Sequence, residues 1–449
     1  MAFLTLAMSK SPKVIGSPTK NLFLDALTSD IELADAVSDL VDNSVDAARR
    51  CSPTNKYDNL EVRIAFDKNH FEIQDNCGGI DLDTAEKVLF SLGRPPSYKS
   101  TPGQIGRFGI GMKRDLFMMG NDITVKSATK NSRFQIEIDL VEWAKNKEWD
   151  FSFSKYEPNA TVKADEIGTK ITVKNLRAPV AHEFSLPLFI ETLISTLQKK
   201  QKQALQRGLT IFVGTTRLTS QPYKLKYLES HIEPAFFGRE YNGSSETLSV
   251  KVIAGIDESK PAEAGWYVSC NGRFVLVADQ SQKTGWGEEG GKLIPKMHHQ
   301  FAQFRGYVFF ECQDPVRLPW NSTKTGINTD SNVYREVKAL MISATRPIID
   351  FLNKLDAEKE LDERPLTKAV ETADSRPITA LLESTKLNSN FSYKGLKGNL
   401  DPDQPIRISY VKPLGEVQKV RKKLGVESNR DVGLGTFEYY STHELRKRS

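Results

Sequence analysis

An α/β fold is what the first 185 or so residues of this chain predict, because helix and strand signals alternate there. Three observations carry that expectation. Residues 34–50, "ADAVSDLVDNSVDAARR", space their apolar side chains like an amphipathic helix. Residues 59–76, "NLEVRIAFDKNHFEIQDN", alternate apolar and polar side chains about a turn, the pattern of a hairpin with one buried face. Residues 103–120, "GQIGRFGIGMKRDLFMMG", run four glycines into a second apolar helix.

The first helix has a start signal in Ser29-Asp30-Ile31-Glu32, which has capping-box spacing. Ile31, Ala34, Val37, Leu40, Val41 and Ala48 give it an apolar face. Asp35, Asp39, Asp42 and Asp46 stack within one or two turns of each other, with Asn43 among them. Like charges at this spacing repel by roughly a few tenths of a kcal/mol per pair. A lone acidic stripe is usually a solvated face, so the neighbouring segments decide its meaning. Asp39 and Asn43 lie one above the other.

The hairpin sets Leu60, Val62, Ile64 and Phe66 on one arm, turns at Asp67 to His70, and resumes with Phe71 and Ile73. It delivers Asp75 at a strand end, just ahead of Cys77-Gly78-Gly79, where glycine lets a backbone or ligand approach closely. In the third segment, Gly103, Gly106, Gly109 and Gly111 precede a helix containing Leu116, Phe117 and Met118. Free N–H groups and the helix dipole make such a junction an anion site. Its spacing fits neither the Walker loop nor the dinucleotide G-x-G-x-x-G.

From 186 to 355 a helical stretch, "LPLFIETLISTLQKKQKQALQ", opens a second segment. Strand-like runs follow, "LTIFVGTT", "TLSVKVIAGI", "WYVSCNGRFVLVA" and "GYVFFECQ", and the helical "YREVKALMISATRPIIDFLNKL" closes it. Residues 356–400 are charged, then polar, and read as a linker. Residues 401–449 form a small basic C-terminal region with a strand signal, "PIRISYVKP", and a basic helix, "LGEVQKVRKKLGV".

At 449 residues, 39% hydrophobic and 27% charged, the chain has the composition of a soluble globular protein of two or three domains. Its net charge of +5 permits acidic partners without demanding them. Cys51, Cys77, Cys270 and Cys312 form no close pairs, which argues against a zinc site or disulfide framework and for a reduced, cytoplasmic protein. The opening "MAFLTLAMSKSPK" is too brief for a signal peptide, and no run of about 18 apolar residues suggests a membrane span.

In their order, the segments resemble the motifs of the GHKL ATPases, the family of the DNA gyrase B subunit, MutL, MORC proteins and the heat-shock chaperones of the ninety-kilodalton class. "DLVDNSVDA" is similar to the first motif, "DNCGGI" to the second, "GRFGIGM" to the third and "GTKITV" to the fourth. The resemblance implies the Bergerat α/β sandwich, a mixed sheet with helices on one face, binding ATP and Mg²⁺. Asn43 would then coordinate Mg²⁺, with Asp42 and Asp46 nearby as fallback carboxylates for the base that activates water, or as structural groups. Asp75 would accept a hydrogen bond from the adenine amine, with Thr169 beside it and Gly79 and Ile80 against the base. Gly106, Arg107, Phe108, Gly109, Ile110, Gly111, Met112 and Lys113 would wrap the phosphates.

Two positions depart from that pattern. The general base four residues before the metal asparagine is normally Glu, and here it is Asp39, one methylene shorter, which puts fast turnover in question. Cys77 stands where many members have glycine, a substitution that reads as packing.

In the gyrase, MutL and MORC branch a transducer-like α/β domain follows and sends a lysine to the γ-phosphate. "WYVSCNGRFV" resembles its "NGR" strand and "RLPWNSTKTGINTDSNVY" its lysine loop, which makes Lys324 the expected second catalytic residue. Arg317, seven residues earlier, is the alternative source of charge.

The implied function is an ATP-gated, dimerising clamp, closest to a compact prokaryotic MORC-like ATPase, acting on DNA or a protein client, with defence or DNA repair as its setting. Lys199, Lys200, Lys202 and Arg207 form a basic helical cluster that would suit DNA. The alternative is a nucleotide-gated signalling protein with negligible turnover.

Overall fold

The computed structural model describes residues 19–26, 31–52, 54, 56–94, 101–106, 109–243, 246–287, 294–321, 323–361, 363–384, 387–396 and 408–445. Ser29, Asp30, Arg107 and Phe108, named above, lie outside them. Two compact units divide the chain, residues 1–397 and 398–449.

Helix α1 (Leu33–Cys51) begins two residues after Ile31, with Glu32 at its N-cap and no side-chain cap bond. Its apolar face is buried as the spacing predicts. The acidic stripe, however, is not solvated: Asp39, Asp42 and Asp46 are buried too. Strands β1 (Glu61–Phe66) and β2 (His70–Asp75) form the expected antiparallel hairpin, with Val62 pairing Asp75. Asp67 closes the turn by accepting the Asn69 and His70 N–H groups at 2.7 and 3.0 Å.

A short helix α2 (Leu82–Thr84) leads toward the glycine segment, and α3 (Gly111–Met119) follows it. Strands β3 (Gly120–Ala128) and β4 (Arg133–Asp139), helix α4 (Leu140–Lys145), and strands β5 (Phe153–Glu157) and β6 (Gly168–Leu176) complete the sheet's long side. Helices α5 (Ala178–Phe184), α6 (Pro187–Lys200) and α7 (Lys202–Gln206) then carry the chain to β7 (Thr210–Val213) and β8 (Thr216–Arg217).

The eight strands order as β5-β4-β3-β6-β2-β1-β7-β8. β7 lies parallel to β1 and the other neighbours are antiparallel, so the sheet is mixed. A parallel neighbour needs a long crossover, which α5–α7 supply. "LTIFVGTT", expected in the second segment, therefore belongs to the first sheet. Ile211 and Val213 pair with Val62 and Ile64, and all four are buried. Helix α1 packs against α3 and α6.

After β9 (Lys224–Tyr227) and β10 (Ile232–Glu233), a second sheet is built from β11 (Ala235–Asn242), β12 (Thr247–Ile256), β13 (Gly265–Cys270), β14 (Arg273–Asp279) and β15 (Phe304–Glu311), ordered β11-β12-β15-β13-β14. The long helix α8 (Asn332–Ala357) packs on it through β12.

The stretch 356–396, read as linker, is instead folded onto this body. Its α9 (Pro365–Thr372), β16 (Asp374–Pro377), α10 (Ile378–Ser384) and β17 (Ser392–Tyr393) include two strands that pair with β9 and β10. Ile378, Leu381 and Phe391 are buried and anchor it, whereas Leu361 and Leu387 stay exposed.

In the second unit α11 (Leu414–Leu424) and α12 (Asn429–Tyr440) form a helical hairpin, Gly435 letting Leu424 approach. The strand expected at "PIRISYVKP" is not formed over residues 408–413. Val411 there is 97% exposed, so that segment has no buried face to hold a strand.

Candidate functional site

A cavity of about 470 Å³ opens between α1, the first sheet, the glycine segment and the loop around Lys324. Asp39, Asn43 and Asp46 line it from α1, Asp75 from the end of β2, Ile80 from just beyond it, and Thr169 from β6. Gly106, Gly109, Ile110, Gly111, Met112 and Lys113 line it from the glycine segment, and Thr323 and Lys324 from the second sheet's loop. A larger cavity of about 600 Å³, walled by Phe23, Phe90, Phe117, Trp143 and Trp149, shares only Lys113 with the expected residues. The residues expected from the motifs gather at the smaller one.

At the β2 end, Asp75 is held by short-range hydrogen bonds. Its carboxylate accepts from Ser44 Oγ at 2.8 Å and from the Cys77 N–H at 2.9 Å. Thr169 sits opposite it in the β2–β6 ladder, its hydroxyl 2.9 Å from that of Ser127. Burial pushes the Asp75 carboxyl up, against those hydrogen bonds. Gly79 is not among the lining residues. Its φ is +75°, and a Cβ there would lie 2.1 Å from Ala128 O, so backbone packing requires the glycine.

Midway, Asn43 is exposed to the cavity and donates through Nδ2 to Asp39 O at 3.3 Å. Its amide oxygen is the donor suited to a hard cation. Among the described residues no three His, Cys, Asp or Glu side chains cluster as a metal site. A hard cation at that amide would take its remaining ligands from water or from a bound group. Asp46 anchors the glycine segment, accepting the Ile105 and Gly106 N–H groups at 2.8 and 2.9 Å.

The far end is a buried charge cluster drawn from four stretches of chain. Asp39 meets Arg114 at 3.0 Å, Arg273 at 3.3 Å and Lys324 at 3.5 Å. Asp42 meets Lys324 at 2.7 Å, Arg273 at 2.9 Å and Gln201 at 2.7 Å. Arg114 also holds Asp115 at 3.0 Å.

Burial pushes Asp39 up despite its three cations. Burial acts on Asp42 the same way, but Arg273, Lys324 and the hydrogen bonds outweigh it and hold Asp42 low. Burial also lowers Lys324, yet Asp39 and Asp42 together raise it above its ordinary value.

The loop presenting Lys324 is a tight turn, with the Asn321 N–H donating to Gly326 O at 3.0 Å and the Lys324 N–H to Asn321 O at 3.1 Å. Lys324 adopts φ +53°, a conformation that costs a non-glycine residue about 1–3 kcal/mol and is kept where the surroundings impose it. Arg317, the alternative cation, is spent on Tyr241 O at 2.9 Å and on Glu246 O.

The "NGR" turn ties the second sheet to the glycine segment. Asn271 Nδ2 donates to Gln104 O and Cys312 O, both at 2.9 Å. Arg273, at the start of β14, is fully buried in the charge cluster. Its role, and those of Arg114 and Asp115, were not read from the sequence, although "NGR" and the "KRD" after the last glycine were the available signals.

Lys113 donates to Gly109 O, and burial, aided by Arg94, pulls it down to about 7. The basic cluster on α6 and α7 is largely consumed within the fold. Lys200 pairs with Asp35, Lys202 lies 3.3 Å from the Tyr223 ring centre, and Arg207 reaches Tyr57 Oη at 3.4 Å.

Residues 31–169 match the family model described as histidine kinase-, DNA gyrase B- and HSP90-like ATPase. The match supports a GHKL-type ATPase domain over that part of the chain, with the ATP binding such domains carry. No curated protein matches the chain. Among the described residues no helix is long and apolar enough to cross a membrane.

Proposed function

We propose that this chain is a Mg²⁺-dependent ATPase whose nucleotide occupancy closes a clamp of two protomers on DNA or a protein client, in the manner of a compact MORC- or MutL-like protein. The observation that carries the reading is the meeting of Lys324, from the second sheet, with Asp39 and Asp42 of α1 at the wall of the same cavity as Asp75. Adenine is read by the Asp75 carboxylate with Thr169 beside it. Asn43 holds Mg²⁺, which screens the phosphates' charge when bound. Lys324 turns from Asp42 toward the γ-phosphate and stabilises the charge developing there.

In the hydrolytic step a water oxygen bonds to the γ-phosphorus, the bond to the ADP oxygen breaks with its electron pair leaving on ADP, and Asp39 takes the water's proton. Replacing Asp39 by Asn keeps shape but removes the base. Turnover then falls by about 10² to 10⁴-fold while ATP binding persists, and the trapped protein accumulates as a dimer by light scattering. Wild-type turnover in Asp39→Asn rules Asp39 out as the base.

One observation favours a slower, nucleotide-gated switch. Both Asp39 oxygens are engaged by cations, Oδ2 by Arg114 and Oδ1 by Arg273 and Lys324. A wild-type protein that binds ATP without measurable turnover decides for that reading.

A further inference from the structure

We propose that Arg114, itself held by Asp115, is a positioning residue that brings Asp39 to the phosphate end of the cavity and so makes good the methylene that aspartate lacks relative to glutamate. The proposal rests on the hydrolytic reading above.

Arg114 lies one turn into α3, the helix that the glycine segment feeds. Its Nη2 donates to Asp39 Oδ2 and its Nε to Asp115 Oδ1, each at 3.0 Å. The Arg114 side chain is 9% exposed, Asp39 2% and Asp115 not at all. From the opposite side Arg273 donates to the other oxygen of Asp39, Oδ1, at 3.3 Å. A carboxylate gripped at both oxygens by planar guanidinium groups cannot rotate freely, and its direction is set by where those groups stand.

Gly111 shows what that direction is. A Cβ at this first residue of α3 would lie 3.7 Å from Asp39 Oδ2 and 3.9 Å from Asp115 Oδ2. Both carboxylates therefore converge on the start of α3, beside the glycine backbone. Arg114 reaches Asp39 from α3, so it draws the short side chain toward the glycine segment.

Asp115 is the second, independent observation. It is fully buried, and among the described residues its Oδ2 has no hydrogen-bond partner. A buried carboxylate with an unsatisfied oxygen is costly, and a core residue of similar size would serve the fold better. What it does is accept the Arg114 Nε–H at 3.0 Å, which fixes the guanidinium that reaches Asp39.

The test compares Arg114→Gln, Asp115→Asn, Asp39→Glu and the double variant Arg114→Gln/Asp39→Glu, each checked for cooperative unfolding well above the assay temperature. A misplacement of about 1 Å costs on the order of 10²-fold in rate. Arg114→Gln is expected to lower kcat by about 10- to 100-fold with ATP affinity nearly unchanged, and Asp115→Asn to lower it less. The added methylene of Asp39→Glu then restores at least about tenfold of the loss in the double variant. Loss of ATP affinity equal to the loss of kcat in Arg114→Gln makes Arg114 a phosphate ligand and overturns the proposal. So does a folded, ATP-binding double variant without restored turnover, when the wild type hydrolyses ATP. Absence of turnover in the wild type sinks the hydrolytic reading, and this proposal with it.

Discussion

The two ends of the cavity are built by different means. Asp75 and its partners sit on adjoining strands and the helix above them, so register alone brings Asp75, Thr169 and Ser127 together. The charge cluster at the other end joins residues far apart in sequence: Lys324 bonds Asp42 across 282 positions and Arg273 bonds Asp39 across 234. A ladder tolerates the loss of one contact because its neighbours keep the geometry. A buried ion cluster does not, since each charge is stable only while its partners remain.

That contrast predicts unequal damage. Arg273→Met leaves Asp39 and Asp42 buried with one cation fewer, and breaking a buried pair costs about 3–5 kcal/mol. The variant should show the largest drop in urea midpoint of any single change at the site. A midpoint shift no greater than that of Ser44→Ala would erase the distinction between the ends.

Asp75→Asn should disturb recognition more than folding. A hydrogen bond to a charged group contributes about 1.5–3 kcal/mol, so ATP binding weakens by about one to two powers of ten and the preference for ATP over GTP narrows. Equal losses for both nucleotides would mean that Asp75 does not read the base.

The smallest effect concerns Lys113, whose amine is held down to about 7 by burial and by Arg94. At pH 8 it is mostly neutral, and an arriving triphosphate favours the charged form, so binding takes up a proton. Calorimetry in buffers of different ionisation enthalpy should show that uptake at pH 8. It should vanish at pH 6, where Lys113 is already charged, and in Lys113→Met. Binding heats independent of buffer at pH 8 would place Lys113 away from the phosphates.

The same contrast explains what the sequence disclosed. Helix α1, the β1–β2 hairpin and the glycine-to-helix junction follow local periodicities, and Asp39, Asn43, Asp46, Asp75, Gly106, Gly109 and Gly111 gather at one cavity, while Gly79 does not line it. The boundary expected near 185 missed β7, because parallel pairing with β1 is fixed by a crossover rather than by any local signal. Arg114 and Asp115 stood in plain view next to the glycines, yet a charged pair on a helix looks solvated until its burial is known. The acidic stripe of α1 misleads in the same way: its partners lie on α3, β14 and the Lys324 loop.

In the proposed function, this cavity takes Mg·ATP through Asn43. Titrating Mg·ATP by calorimetry into the wild type and into Asn43→Ala tests it most directly. Saturable binding is expected in the wild type and none in the variant, with the variant's melting temperature unchanged because Asn43 is exposed to the cavity. Wild-type affinity in Asn43→Ala would contradict it.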